Sequence, residues 1–360
     1  MTRAWSRWLP AAIVPAVIAA GALVSASQAG ANADLPDKSA AEVLALVGES
    51  SVDALSGTVE QTSKLGLPAL PSSGSGTDGA GASGQAAALE LLTGSHTARV
   101  YLDGPTRVRV QVLDMLAERD AVRNGDDVWL YSSVGNTATH LVLPGGSAGE
   151  HAPDGVVTPA ELADEFLTAI DASTVVTVDA DTVVAGRAAY DLVLTPRAND
   201  TLVGSVSIAV DGETGLPLRV DVAARGQQEP AFQVAFTQLS LGAPAAERFQ
   251  FTPPPGATVT EQAVPELPAN LAAPATGQPG ELGIGRPTVS GTGWDAVVEL
   301  PLGLAAPALT GSAGLEELTQ AVPGGRFLHT ALLNVLLTDD GRLLAGSVPL
   351  ERLQASSSSQ

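Results

Sequence analysis

The residues able to do chemistry are few, and their spacing does not suit catalysis. The chain has four histidines, His96, His140, His151 and His329, and no cysteine. No histidine stands at metal-ligand spacing from another histidine or from paired carboxylates, as a tetrahedral site requires. His96 and His140 fall on strand-like runs, where a histidine is ordinarily at the surface or a hydrogen-bonded part of the core. Asp126-Asp127 and Asp339-Asp340 sit in hairpin-turn sequences, where aspartate favours the turn backbone. Asp179 and Asp181 are two acids at adjoining strand ends, whereas a calcium cage takes about six oxygen ligands. Gly283-Ile284-Gly285 lacks the strand before and the helix after that a dinucleotide-binding turn needs. No GxSxG elbow or P-loop is present. These patterns predict a protein that binds rather than catalyses, with no cofactor and no metal.

A binding function of this kind would have to be positioned by a large β unit. Residues 1–33 precede it. They carry Arg3 and Arg7, an apolar run over 9–24 broken by Pro10 and Pro15, and then Ala31-Asn32-Ala33, the small-x-small pattern of a signal-peptidase site. The run is short for a membrane span. A cleaved secretory leader is expected, with an uncleaved anchor as the alternative. Without cysteine the chain has no disulfide and no cysteine to lipidate, so packing alone must hold it. Asp and Glu number 39 against 18 Lys and Arg, a net charge of −21, and removing the leader takes away arginines but no acid. Such a surface repels nucleic acid and anionic lipid head groups, and no nucleic-acid partner is expected.

Capping boxes mark two helices. Ser39 and Glu42 open 39–49, where Val43, Leu44 and Val47 share a face; Thr158, Pro159 and Glu161 open 158–170, where Leu162, Phe166 and Ile170 do. Residues 68–85 are rich in Gly and Ser and read as a surface loop, and 86–92 (AAALELL) as a brief apolar helix tethered by it. Strand signals fill 55–65, 96–102, 106–112, 117–123, 128–132, 137–143, 174–178, 182–184, 189–194, 202–210, 216–222 and 232–241. Connections such as Asn124-Gly125-Asp126-Asp127 are hairpin-length, which gives about eleven strands in one antiparallel meander. Over 106–112, Arg107, Arg109 and Gln111 alternate with Val108, Val110 and Val112. The apolar face must be covered, and the three helices are the available cover. Two readings stay open: the helices complete a packed core, or they form a movable lid over a cavity. Residues 263–286, rich in Pro, Ala and Gly, read as a linker. A small C-terminal α/β unit over 287–352 follows, with a strand at 294–300, a helix at 315–321 and a hairpin of 332–337 and 342–348. Residues 353–360, ending SSSSQ, read as a disordered tail.

Four segments, in order, resemble the LolA-type lipoprotein-carrier superfamily (LolA/LppX/RseB-like). DAVRNGDDVWLYSS, with Trp129 and Tyr131, resembles its S-D-G-x-x-L-W-x-Y strand pair. LVLTPRAND resembles its strand ending in LTPK, and SVSIAVDGETGLPLRVDV its next hairpin. RFQFTPPPG resembles its closing F-x-F-x-P-P-x-G and is the most specific of the set. The similarity spans 39–262 and marks an actinobacterial-type member with an extra C-terminal unit. It implies an α+β fold: an unclosed antiparallel β-barrel of about eleven strands, lidded by helices, over residues 34–262. The implied acyl-binding residues are Leu89, Leu91 and Leu92 of the lid, Val100, Leu102, Val108, Val110, Val112 and Trp129, then Phe166, Ile208 and Phe236. Where the family has an arginine before the proline of one turn, this chain has Gly104. The family's lid latch is therefore absent, with Arg99 or Arg107 as the available substitutes. The resemblance implies a secreted, extracytoplasmic carrier of lipid acyl chains or of a lipoprotein. The alternative is an RseB-like sensor that binds a membrane-protein partner, such as an anti-sigma factor, through its C-terminal unit.

Overall fold

The structure, a computed structural model, describes residues 35–67, 94–113, 117–143, 157–263, 287–303 and 318–358. The expected leader, the loop 68–85, the helix 86–92 and the linker beyond residue 263 lie outside these residues. The larger sheet has twelve strands: β1 (Ala54–Ser63), β2 (Gly94–Asp103), β3 (Arg107–Leu113), β4 (Glu118–Asn124), β5 (Asp127–Ser132), β6 (Thr137–Val142), β7 (Thr174–Val184), β8 (Arg187–Pro196), β9 (Val203–Asp211), β10 (Pro217–Ala224), β11 (Pro230–Leu241) and β12 (Thr258–Ala263). Their order is β12-β6-β5-β4-β3-β2-β1-β11-β10-β9-β8-β7. Two antiparallel meanders, β1–β6 and β7–β11, therefore join where β1 pairs with β11. The runs at 174–178 and 182–184 are one strand, β7, interrupted by a register shift between Asp179 and Thr182. No alternation in the sequence announces β12, which pairs parallel to β6 and takes in residues 261–263 at the edge of the expected linker. The terminal strands β7 and β12 do not pair with each other, so the sheet is unclosed.

Two helices form where the capping boxes predict. In α1 (Ala40–Gly48) and α2 (Pro159–Thr168) the Ser39 and Thr158 hydroxyls accept from the backbone N–H of Glu42 and Glu161, whose carboxylates accept in return. Helix α1 docks on the β9–β10 hairpin. Gly215 there has φ +73°, and a Cβ would come 2.1 Å from the Leu46 carbonyl oxygen. The hairpin is held by buried Asp211, which accepts from Thr214 N–H at 2.9 Å and from Arg187 Nε at 2.8 Å. Burial works against its charge, but these bonds prevail and hold its carboxyl below the usual range. The approach to α1 is fixed by Tyr190, whose hydroxyl donates to the Pro36 carbonyl at 2.8 Å.

The smaller sheet comprises β13 (Thr288–Ser290), β14 (Val297–Pro301), β15 (Gln320–Val322), β16 (Gly325–His329), β17 (Asn334–Thr338) and β18 (Arg342–Gly346). Its order is β13-β14-β18-β17-β16-β15, antiparallel throughout. Two expectations fail here. Residues 320–321, read as the end of a helix, lie in β15, because the turn at Gly324 (φ +88°) folds Val322 back onto Gly325. The serine-rich end is not disordered: Leu350–Ser358 is helix α3, whose Leu353 is fully buried with Val297, Phe327, Leu336 and Leu344. That contact outweighs the weak helix propensity of serine. The two units touch directly. Leu202 N–H donates to the Ser347 carbonyl at 2.7 Å, Ala331 N–H to Leu65 at 2.9 Å, and Leu332 joins the core of the larger unit. No helix among the described residues is long and apolar enough to cross a membrane.

Gly215 and Gly104 separate two costs of adding a methyl group. Both have positive φ, but a Cβ at Gly104 meets nothing within 4 Å. Gly104→Ala is expected to destabilise by about 1 kcal/mol and Gly215→Ala by about 3 kcal/mol, because the latter must also displace α1. Urea denaturation midpoints of the two variants check this ordering.

Candidate functional site

Cross-strand partners share a face of a sheet, so the register sorts every side chain of the large sheet into two sets. Val110 pairs with Val100 and Ala121. Val59 pairs with Phe236 and Ala98, and Ala98 with Val112. Further along lie Val220, Ile208, Leu192 and Val178. This inner face is covered by α1, by α2, and by Ala331, Leu332 and Trp294 of the smaller unit.

Most of the expected binding residues come together here. Val100, Val108, Val110, Val112, Ile208 and Phe236 are all buried in one cluster, with Leu102 packed against it. The phenyl of Phe236 lies over Gly57, where a Cβ would approach it to 2.8 Å. Phe166 of α2 stacks on Trp294, ring centroids 6.4 Å apart, and the Trp294 indole N–H donates to the Thr174 hydroxyl at 2.9 Å. Trp129 is a correction. It pairs with Val122 and His140, in the row of Arg109, so alternation places it on the outer face, away from the acyl-binding set. Leu89, Leu91 and Leu92 lie outside the described residues. From β7 through β3 most inner-face side chains are buried. At β5 the face opens, and Leu130 is 39% exposed. Arg119 and Arg123 of β4 and Gln61 of β1, which the sequence did not single out, also stand on this face, with His96 as the cross-strand partner of Gln61. Cross-strand pairing alone places them there, since none belongs to an apolar run.

The outer face explains the RFQFTPPPG segment. After β11 the chain straps across β2–β5. Phe249 is buried beneath it, and the Arg107 and Arg248 guanidinium groups lie 5.9 and 5.2 Å from the Phe249 and Tyr101 rings. Arg109 ties the strap to the sheet: its Nη1 donates to the Arg248 carbonyl at 2.9 Å and its Nε to Asp120 at 3.0 Å. Burial raises the Asp120 carboxyl above its ordinary range despite that bond. Phe251 packs between Trp129 and Tyr131, at 5.4 and 5.8 Å. Arg107 is paired with Asp103 at 2.6 Å, and Arg99 shares its outer face. Neither is placed to latch a lid over the inner face.

The strap delivers β12, and one histidine fastens it. His140 of β6 bonds Glu261 of β12 through Nδ1 at 2.9 Å and Asp127 of β5 through Nε2 at 3.0 Å, and its ring stacks on Trp129 at 4.2 Å. Burial opposes protonation, but the two carboxylates prevail and hold the ring above the ordinary histidine value.

Residues 92–265 match the family model of the MucB/RseB N-terminal domain. No curated protein matches the chain. Among solved structures, it is similar to the MucA/MucB complex of Pseudomonas aeruginosa, at 19% identity over 88% of this chain and 96% of that one, with a TM-score of 0.40. An uncharacterized conserved protein of Thermus thermophilus aligns at 13% identity over 62% and 99%, with a TM-score of 0.34. A LolA superfamily protein of Nitrosomonas europaea aligns at 10% identity over 60% and 99%, with a TM-score of 0.23. Each of these structural likenesses is loose and carries nothing functional by itself.

A raised histidine pKa stabilises the fold below the unfolded value of 6.5 and ceases to do so as pH rises through the folded value. The β12 attachment is therefore expected to weaken on going from roughly pH 5.5 to 8.5. Amide exchange of residues 258–263, corrected for intrinsic rate, should show the loss of protection, and His140→Gln should abolish the pH dependence.

Proposed function

We propose, from the match of residues 92–265 to the MucB/RseB N-terminal domain model, that the chain is an extracytoplasmic acyl-chain sensor of the RseB type. The barrel would take an acyl chain or lipoprotein on its inner face, and the smaller unit would engage a membrane-protein partner such as an anti-sigma factor. The observation that carries this reading is the place of the smaller unit within the cover. Trp294 stacks on Phe166 of α2, and Leu332 sits in the core of the larger unit. A ligand entering beneath α2 must disturb those contacts, so occupancy of the barrel is coupled to the unit that would hold the partner. Burial of the acyl chain supplies ~0.8 kcal/mol per methylene, against the cost of lifting the cover.

A second reading is a secreted carrier that loads and releases its lipid without a regulatory partner. It draws on the unclosed sheet: β7 and β12 are unpaired with each other, so the barrel can widen without breaking a ladder.

The coupling makes a specific prediction. Trp294→Ala loosens the cover and should tighten binding of a fluorescent fatty acid about fivefold, a gain of ~1 kcal/mol. Equal affinity in both proteins would remove the coupling and leave the carrier. Failure of both to bind, with native circular dichroism, would remove the acyl-chain reading altogether.

A further inference from the structure

The inner face sorts charge as well as polarity. Glu60, Asp103, Asp120, Asp127, Asp191 and Asp221 all alternate to the outer face. Among the described residues placed by the register, no strand carboxylate shares the inner face, although the chain carries 39 acids. The charged side chains there are Arg119 and Arg123. Arg123 is 3% exposed and donates through Nε to the Gly125 carbonyl at 3.0 Å, which fixes it to the β4–β5 turn. Arg119 is half-buried and is the reachable one.

Arg119 ends a row that crosses the sheet. From β11 to β3 the row reads Phe236, Val59, Ala98, Val112, and all four are buried. It continues through Arg119, Ser132 and Thr137. Apolar side chains thus occupy four strands in succession, and a guanidinium and two hydroxyls follow. The distance from β11 to β4 is four inter-strand steps, roughly 19 Å, the scale of a long acyl chain. We propose that this row is the ligand track, and that it takes an amphiphile whose head is anionic, seated on Arg119 with the Ser132 and Thr137 hydroxyls. This rests on the acyl-chain reading above and adds the head-group chemistry to it.

The chain's negative charge does not oppose the assignment. Net charge governs the field beyond about 8–10 Å, where salt screens it, whereas contact chemistry follows the groups within reach. Guanidinium suits carboxylate and phosphate through paired N–H donors. Arg119 already has an interaction partner in this conformation, so the head group would exchange for an existing contact.

The test is displacement of a fluorescent fatty acid from the full chain by three competitors sharing one palmitoyl tail: palmitate, palmitoyl-lysophosphatidate and monopalmitoylglycerol. The proposal expects at least one anionic competitor to act at about tenfold lower concentration than the neutral glyceride, and the stronger of the two identifies the head as carboxylate or phosphate. It also expects the preference to shrink with added salt and to vanish in Arg119→Gln while the glyceride competes as before. Should that variant misfold, the salt titration on the unaltered chain decides the matter. Equal competition by all three overturns the anionic head and leaves the acyl-chain reading standing. Absence of probe binding overturns the acyl-chain reading, and this proposal with it.

Discussion

The β1–β11 ladder makes one sheet of two. Each meander forms by local hairpins, but β1 meets β11 across nearly the whole larger unit: the Thr237 hydroxyl bonds the Thr58 carbonyl 179 positions away. Closing so long a loop costs chain entropy, which only continuous apolar burial on one face offsets. The ladder shifts register between Thr58 and Val59, and there Gly57 leaves room for the Phe236 ring. Without this seam the row from Phe236 to Val112 would not exist, and neither would an inner face wide enough to need a cover.

The cover is built from three sources. Helix α1 fits the β9–β10 hairpin because Gly215 has no side chain, helix α2 lies over β10 and β11, and the smaller unit contributes Trp294, Ala331 and Leu332. Since the second unit shares the core of the first, the barrel is not an independent vessel with an appendage. Trp294 of the smaller unit stacks on Phe166 of α2, so the two units share a contact within the cover.

The two faces divide the work. The outer face holds the carboxylates, the arginine pairs and the RFQF strap, and its strap and His140 fix the edge strand β12. The inner face holds the apolar rows and the two arginines of β4. An acidic chain can therefore carry a cationic spot on one face, because period-two alternation separates the charges by the thickness of the sheet.

Local pattern in the chain specified β1 to β11, the two capped helices and the sorting of Val108, Val110 and Val112 from Arg107, Arg109 and Gln111. Each depends on neighbours a few residues apart: hydrogen bonds at a cap, alternation along a strand, φ at a turn. Tertiary structure alone decided which face Trp129 occupies, that β12 returns beside β6, that residues 320–321 extend as strand, and that a serine-rich end becomes a helix around Leu353. In each of these the deciding contact comes from a distant segment, and burial against that segment outweighs the local preference. The packing of Phe166 on Trp294 is of the same kind, since nothing local to either residue specifies the other.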